Sequence, residues 1–225
     1  MIASPSSGAG KTIVSIGLMG ALARRGLKVQ PFKVGPDFID PSLHTALTGR
    51  LSRNLDVWLT SNDKVKTTFQ KTAADADVAV IEGVMGLYDG ISTTTIQAST
   101  AHIASLLKAP ILLTVDVHGM ARSAAAVVDG FINFEPRVKI QAVVLNKVGS
   151  PRHFKLTSEA VNRSTKAEVV GGLPLNKGMS VPERHLGLIP ANALNNLPAV
   201  FKRITDFVEE NIRVAKVLEI ARRAP

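Results

Sequence analysis

Short apolar runs alternate along this chain with longer stretches in which apolar residues recur at helical spacing, the pattern of strands and helices taken in turn. The runs Val29–Phe32, Val78–Ile81, Ile111–Val115, Ile140–Leu145 and Val169–Leu173 predict strands. The last four are rich in Val, Ile or Leu without polar alternation. Both faces of each are therefore expected to be buried, as in a parallel sheet covered on either side by helices. The segments Lys11–Arg25, Ile96–Leu107, Met120–Ile132, His153–Asn162, Ala199–Glu210 and Val214–Arg223 predict those helices, with Gly26 capping the first. The expected fold class is thus α/β, a doubly wound, mostly parallel sheet, with ligands at the carboxyl ends of its strands. No internal repeat or low-complexity linker breaks the pattern, and 225 residues fit one domain over 1–225.

The first loop of interest comes almost at once. Only Met1, Ile2 and Ala3 precede Ser4-Pro5-Ser6-Ser7-Gly8-Ala9-Gly10-Lys11-Thr12, so either the first strand is very short or a few upstream residues are missing. Small residues let backbone N–H groups curl around phosphate oxygens, and the following helix adds the positive end of its dipole. On this reading Ser7, Gly8, Ala9 and Gly10 cradle the phosphates, Lys11 reaches the β- and γ-phosphates, and the Thr12 hydroxyl binds Mg²⁺. Pro5 stands where the usual pattern has Gly, so the loop is a variant; a Gly- and Ser-rich turn ahead of a helix is the bland alternative.

Acidic residues follow two of the predicted strands. Asp37 and Asp40 lie three residues apart in a Pro- and Gly-punctuated segment. They suit completion of a Mg²⁺ shell, and equally suit ordinary turn and N-cap chemistry. Glu82 directly follows Val78–Ile81, where the magnesium-orienting acid of a P-loop enzyme is expected, and Asp89 lies further along the same glycine-rich segment. The candidate metal set is Thr12, Asp40 and Glu82; a strand-ending acid with glycine turns is the competing reading of Glu82. Arg122 suits a carboxylate or phosphate, or a solvated helix face. Asn146 ends the strand Ile140–Leu145 with an amide able to meet an adenine edge. The five histidines show no ligand spacing, and Met85 and Met120 read as packing residues.

Composition narrows the partners. A formal charge of +9 favours a polyanion, but 4% aromatic content argues against stacking platforms for single-stranded nucleic acid. No apolar stretch approaches the roughly 20 residues needed to span a bilayer, and the N-terminus lacks a leader pattern. The absence of cysteine excludes disulfides, thiolate metal sites and a cysteine nucleophile, and fits a reducing cytoplasm. A cytoplasmic protein with neither nucleic-acid nor membrane partner is expected.

Taken together, the segments Pro5–Thr12, Phe32–Pro41 with His44, Glu82–Gly90, Asp116–Ser123, Leu145–His153 and Pro182–Pro190 resemble the synthetase domain of cobyrinic acid a,c-diamide synthases, in family order and over nearly the whole chain. The resemblance implies a P-loop NTPase fold similar to dethiobiotin synthetase, with ATP and Mg²⁺ as cofactors. It implies amidation of the a and c acetate carboxylates of a cobalt corrinoid through acyl phosphates, in cobalamin biosynthesis. It assigns catalysis to Lys11, Asp37, Asp40, Glu82 and Asp89, and nucleotide contacts to the phosphate loop, Asn146, Pro182, Arg184 and His185. A homodimer is the expected assembly. Family members usually continue into a glutaminase domain whose cysteine releases ammonia; that domain is expected to be absent here. Ammonia would then come from a separate glutaminase subunit, from free ammonia, or from a missing domain. The related amidase of nickel sirohydrochlorin shares the motif text and is the enzyme alternative. From another class, partitioning and cell-division ATPases place a second lysine early in the phosphate loop, where this chain has Ser6.

Overall fold

A computed structural model describes residues 1–176 and 196–224. Seven strands form one sheet: β1 (Ile2–Ala3), β2 (Val29–Val34), β3 (Arg53–Leu55), β4 (Val78–Glu82), β5 (Ile111–Asp116), β6 (Ile140–Val148) and β7 (Glu168–Pro174). Their order is β3-β2-β4-β1-β5-β6-β7, and every pairing is parallel. The helices are α1 (Lys11–Arg24), α2 (Ile39–Thr48), α3 (Asn62–Ala73), α4 (Thr100–Leu107), α5 (Ser123–Phe134), α6 (Pro151–Ser164), α7 (Leu197–Asn211) and α8 (Val214–Ala221). The sequence-based expectation of a doubly wound α/β fold holds. The loop after β1 leaves the centre of the sheet, between β4 and β5, where a doubly wound sheet offers its ligand crevice. Among the described residues no helix is long and apolar enough to cross a membrane.

The strand side chains divide by alternation. Leu113, Val115, Val143 and Leu145 pack with Ala124, Val128 and Val161 on one face, while Leu112 and Val144 meet Val14, Leu18, Val208 and Ile220 on the other. Burial on both sides explains why these strands read as unbroken apolar runs. Helix α7 approaches α1 unusually closely because of two glycines: a Cβ at Gly17 would lie 2.2 Å from Val208 Cγ2, and one at Gly20 would lie 2.1 Å from Thr205 Oγ1. Glycine inside a helix costs about 0.5–1 kcal/mol relative to alanine, which this backbone approach must offset.

Boundaries move where capping decides them. The Ser99 side chain accepts a hydrogen bond from the His102 N–H, so α4 starts at Thr100 and Ile96 lies in the preceding turn. Ser150 does the same for α6 through the His153 N–H, with Pro151 at the first position. At the end of α1, Gly26 has φ +78°; its N–H donates to Ala23 O at 2.9 Å and the Leu27 N–H to Leu22 O at 3.3 Å, the paired bonds of a Schellman motif. Three elements lie outside the predicted set. Strand β3 is short with two exposed residues, α3 buries only Val65, and α2 sits in the segment read as an acidic loop.

Candidate active site

The phosphate loop connects β1 to α1 and depends on two glycines with left-handed backbone, Gly8 at φ +75° and Gly10 at φ +102°. Gly10 is the N-cap of α1 and supplies no side-chain bond, so the first-turn N–H groups of the helix need an outside acceptor such as phosphate. The Asn146 amide donates to Ala9 O at 2.9 Å, and its Oδ1 accepts from the Lys147 N–H. This amide braces the phosphate loop from β6. A Cβ at Gly10 would fall 2.3 Å from Asn146 Nδ2. Gly10→Ala is therefore expected to destabilise the fold by about 1–3 kcal/mol through the left-handed backbone and the displaced amide. Thermal unfolding checks this, and a melting temperature equal to wild type would remove the close-packing argument.

Lys11 is largely buried, and its Nζ donates to Ser4 Oγ (2.9 Å), Ser6 O (3.3 Å) and Met85 O (2.6 Å). Burial and the nearby Lys33 charge hold its ammonium below the usual lysine range, against the pull of Glu82, Asp40 and Asp89. Met85 carries φ +48° and is 45% exposed, so the packing role expected for it is not observed; its backbone carbonyl holds Lys11 instead. Met120 does pack against the core.

Thr12 Oγ1 donates to Glu82 Oε1 at 2.8 Å, joining the start of α1 to the end of β4. Glu82 is fully buried at the centre of a charged cluster. Its Oε1 also accepts from Lys33 Nζ at 3.0 Å, and its Oε2 lies 2.8 Å from His44 Nε2. Lys33 Nζ further donates to Asp40 Oδ2 at 2.7 Å and Gly83 O at 3.1 Å, and lies 3.6 Å from Asp37 Oδ2. The register explains the meeting. Lys33 and Glu82 are direct partners across parallel strands β2 and β4, so they share a face. Asp40 and His44 stand four residues apart on α2, one turn above the other. Burial alone would raise the Glu82 carboxyl, but Lys33 and His44 outweigh it and hold that group well below the ordinary carboxylate range. Burial and the Glu82 charge push Asp40 up to about 6, with Lys33 opposing.

The structure thus brings Lys11, Thr12, Asp37, Asp40 and Glu82 together. Asp37 also makes the turn contact weighed for it, accepting from the Ile39 N–H at 2.8 Å. Asp89 is exposed, and its Oδ2 accepts from the Gly86 N–H at 2.8 Å, holding the turn after β4. Arg122 is exposed at the start of α5. The expected sites Pro182, Arg184 and His185 lie outside the described residues. Lys33 and His44 are the cluster members that spacing did not single out. Among the described residues no group of three or more His, Cys, Asp or Glu side chains converges to hold a metal ion unaided. An ion beside Thr12 would draw further ligands from a bound phosphate or from water.

Comparison with known proteins agrees with this geometry. A family model described as the CobQ/CobB/MinD/ParA nucleotide binding domain matches residues 1–189. The cobyrinate a,c-diamide synthase of Listeria innocua is 47% identical over 223 residues, covering 99% of this chain and 49% of the relative. That of Archaeoglobus fulgidus is 44% identical over 225 residues, with 100% and 49% covered. The resemblance drawn from the motifs is borne out by these relatives, and the chain spans about half their length. Among solved structures, the MinD cell division protein of Aquifex aeolicus aligns with a TM-score of 0.55 at 18% identity, covering 99% of this chain and 94% of that one, a likeness of fold. With a family match over most of its length and a phosphate loop joined to a strand-end acid, the chain belongs to the CobQ/CobB/MinD/ParA nucleotide-binding domain family.

Proposed function

We propose that this domain carries out the ATP- and Mg²⁺-dependent amidation of the a and c acetate carboxylates of cobyrinic acid. The observation that carries the reading is the chain Thr12–Glu82–Lys33–Asp40, which sets acidic oxygens against the end of the phosphate loop. The names of relatives that match along this chain, over about half of their own length, support the substrate.

The chemistry needs a leaving group. A carboxylate oxygen of the acceptor attacks the γ-phosphorus, the bond to the bridging oxygen breaks, and ADP departs. Ammonia then attacks the acyl carbon, inorganic phosphate leaves with the C–O bonding pair, and the nitrogen loses a proton to give the amide. The protein has to align acceptor and phosphate and neutralise charge. Lys11 is placed to leave Met85 O for the β- and γ-phosphates, while the loop's N–H groups hold the phosphate chain. The donor set fits Mg²⁺: Thr12 spends its hydrogen on Glu82 and keeps lone pairs for a cation, and Asp40 and Glu82 add hard carboxylate oxygens. Mg²⁺, when bound, neutralises and orients the transferring phosphoryl group. A cavity of about 600 Å³ beside Asp37 is lined by Phe38, Pro41, Leu51 and Leu197, which suits an apolar ring face with its carboxylates turned toward the acids. The Asn146 amide engages Ala9 O and the Lys147 N–H and keeps one hydrogen and one lone pair, which would serve the adenine edge in this scheme. Ammonia from a separate glutaminase, from solution or from a further domain completes the scheme.

Purified protein given ATP, Mg²⁺, an ammonium salt and cobyrinic acid should return a corrinoid lighter by about one mass unit for each carboxylate amidated, since OH is exchanged for NH₂. Nickel sirohydrochlorin run in parallel identifies the ring. No mass change with either ring defeats the amidase reading, and ATP turnover stimulated by DNA or lipid instead would assign the chain to the switch ATPases.

A further inference from the structure

Lys33 has no assigned role in the scheme above, yet it sits among the oxygens allotted to the cation. All three of its ammonium hydrogens are used, on Asp40 Oδ2 at 2.7 Å, Glu82 Oε1 at 3.0 Å and Gly83 O at 3.1 Å, and the residue is 3% exposed. Two of those acceptors are carboxylates, and a third carboxylate oxygen, on Asp37, lies at 3.6 Å. A small cradle of hard, mainly anionic oxygens is what a divalent ion also seeks. An ammonium already in it repels a second cation at close range in a site shielded from water.

We propose that Lys33 is an internal counter-ion that fills the carboxylate side of the cation site, so that a divalent ion enters only together with the nucleotide's phosphates. This inference rests on the nucleotide reading of the phosphate loop. It follows from where the charges stand. Without nucleotide, Lys33 balances Asp40 and Glu82 and keeps both carboxylates in place, so no ion is required for the site to hold its shape. Thr12, in the first turn of α1, and Lys33, on β2, donate to the same oxygen, Glu82 Oε1, so the lysine charge stands beside the place where a phosphate held by the loop would arrive. Phosphate oxygens arriving there supply the negative charge that the lysine has cancelled on the carboxylate side. Lys33 is on this account a positioning residue, acting through Asp40 and Glu82 to order the binding of metal and nucleotide.

Mn²⁺ titrated into the whole chain and counted by electron paramagnetic resonance reads metal occupancy without any turnover. Wild type should take up Mn²⁺ weakly until a non-hydrolysable ATP analogue is added, whereas Lys33→Met should bind it without nucleotide roughly tenfold tighter or better, having lost one facing charge. Equal nucleotide-free affinity in the two proteins overturns the counter-ion role. Should Lys33→Met not hold its fold in metal-free buffer, recovery of its melting temperature by millimolar Mn²⁺ supports the proposal and lack of recovery overturns it. Lys33→Met/Asp40→Asn removes one charge of each sign; it should regain stability without metal and show no gain in Mn²⁺ affinity, and a double variant as unstable as the single one counts against the idea. The wild-type titration with analogue separates the two levels of inference. No analogue binding at all sinks the nucleotide reading, whereas analogue binding with an unaltered Lys33→Met response sinks only the role given to Lys33.

Discussion

Lys11→Ala is expected to lower nucleotide turnover by about a hundredfold or more while changing the unfolding free energy by only about 1–2 kcal/mol. The two effects separate because of what the ammonium touches. Among the described residues Lys11 makes no ion pair; its acceptors are a hydroxyl and two backbone carbonyls. Its charge is desolvated and faces the like charge of Lys33, so removing it relieves one cost. Truncation leaves Met85 O and the Ser4 hydroxyl without that donor, which costs about as much in the other direction. In turnover nothing compensates on the proposed scheme, in which Lys11 is the long cationic side chain that meets the β- and γ-phosphates. Titration with a fluorescent ATP analogue, together with urea unfolding, tests both halves. Wild-type affinity and turnover in the variant would remove Lys11 from the phosphate site, and collapse of the fold would show the loop to be held by this side chain.

What the sequence discloses and what it hides follow from physical range. Buried parallel strands are legible because both faces must be apolar, which is why Val78–Ile81 and Ile140–Leu145 stand out unaided. The phosphate loop is legible because its chemistry is local, with Gly8, Gly10, Lys11 and Thr12 all serving one turn. Glu82 is legible by position, as an acid ending a buried strand. Lys33 is not. A lysine at a strand end reads as solvated until the register of β2 against β4 puts it beside Glu82, and register is set by the whole sheet. His44 stands in the motif text, but its pairing is hidden in the same way, since Glu82 lies 38 residues away in sequence. Helix α3 and strand β3 escape because they bury little and so carry little apolar pattern. Met85 is misread for the opposite reason: an apolar side chain suggests packing, whereas a left-handed backbone that offers its carbonyl to Lys11 leaves no trace in composition.

The second large effect belongs to Glu82→Gln, which should destabilise the fold by about 3 kcal/mol at neutral pH, the order expected when one member of a buried ion pair loses its charge. Shape is nearly kept, so the loss is electrostatic. Lys33 retains Asp40, which places the cost toward the lower end of that range, but His44 and Lys33 both face an amide that can satisfy only one of them as an acceptor. The pH dependence gives the argument its sign. The folded-state Glu82 carboxyl is held below its unfolded value of 4.5, because Lys33 and His44 more than offset the burial that would raise it. A depressed carboxylate contributes stability that is fully present above the unfolded value and is lost as pH falls toward the folded one. The gap between wild type and Glu82→Gln should therefore be widest near neutrality and narrow steadily below about pH 4.5. Urea midpoints measured from about pH 7 down to about pH 3 read this directly. A gap that stays constant across that interval would mean that packing, and not the charge on Glu82, holds β2, α2 and β4 together. Turnover in the same variant should fall by about a hundredfold on the proposed scheme, in which Glu82 is the acid that orients Thr12 and a bound Mg²⁺.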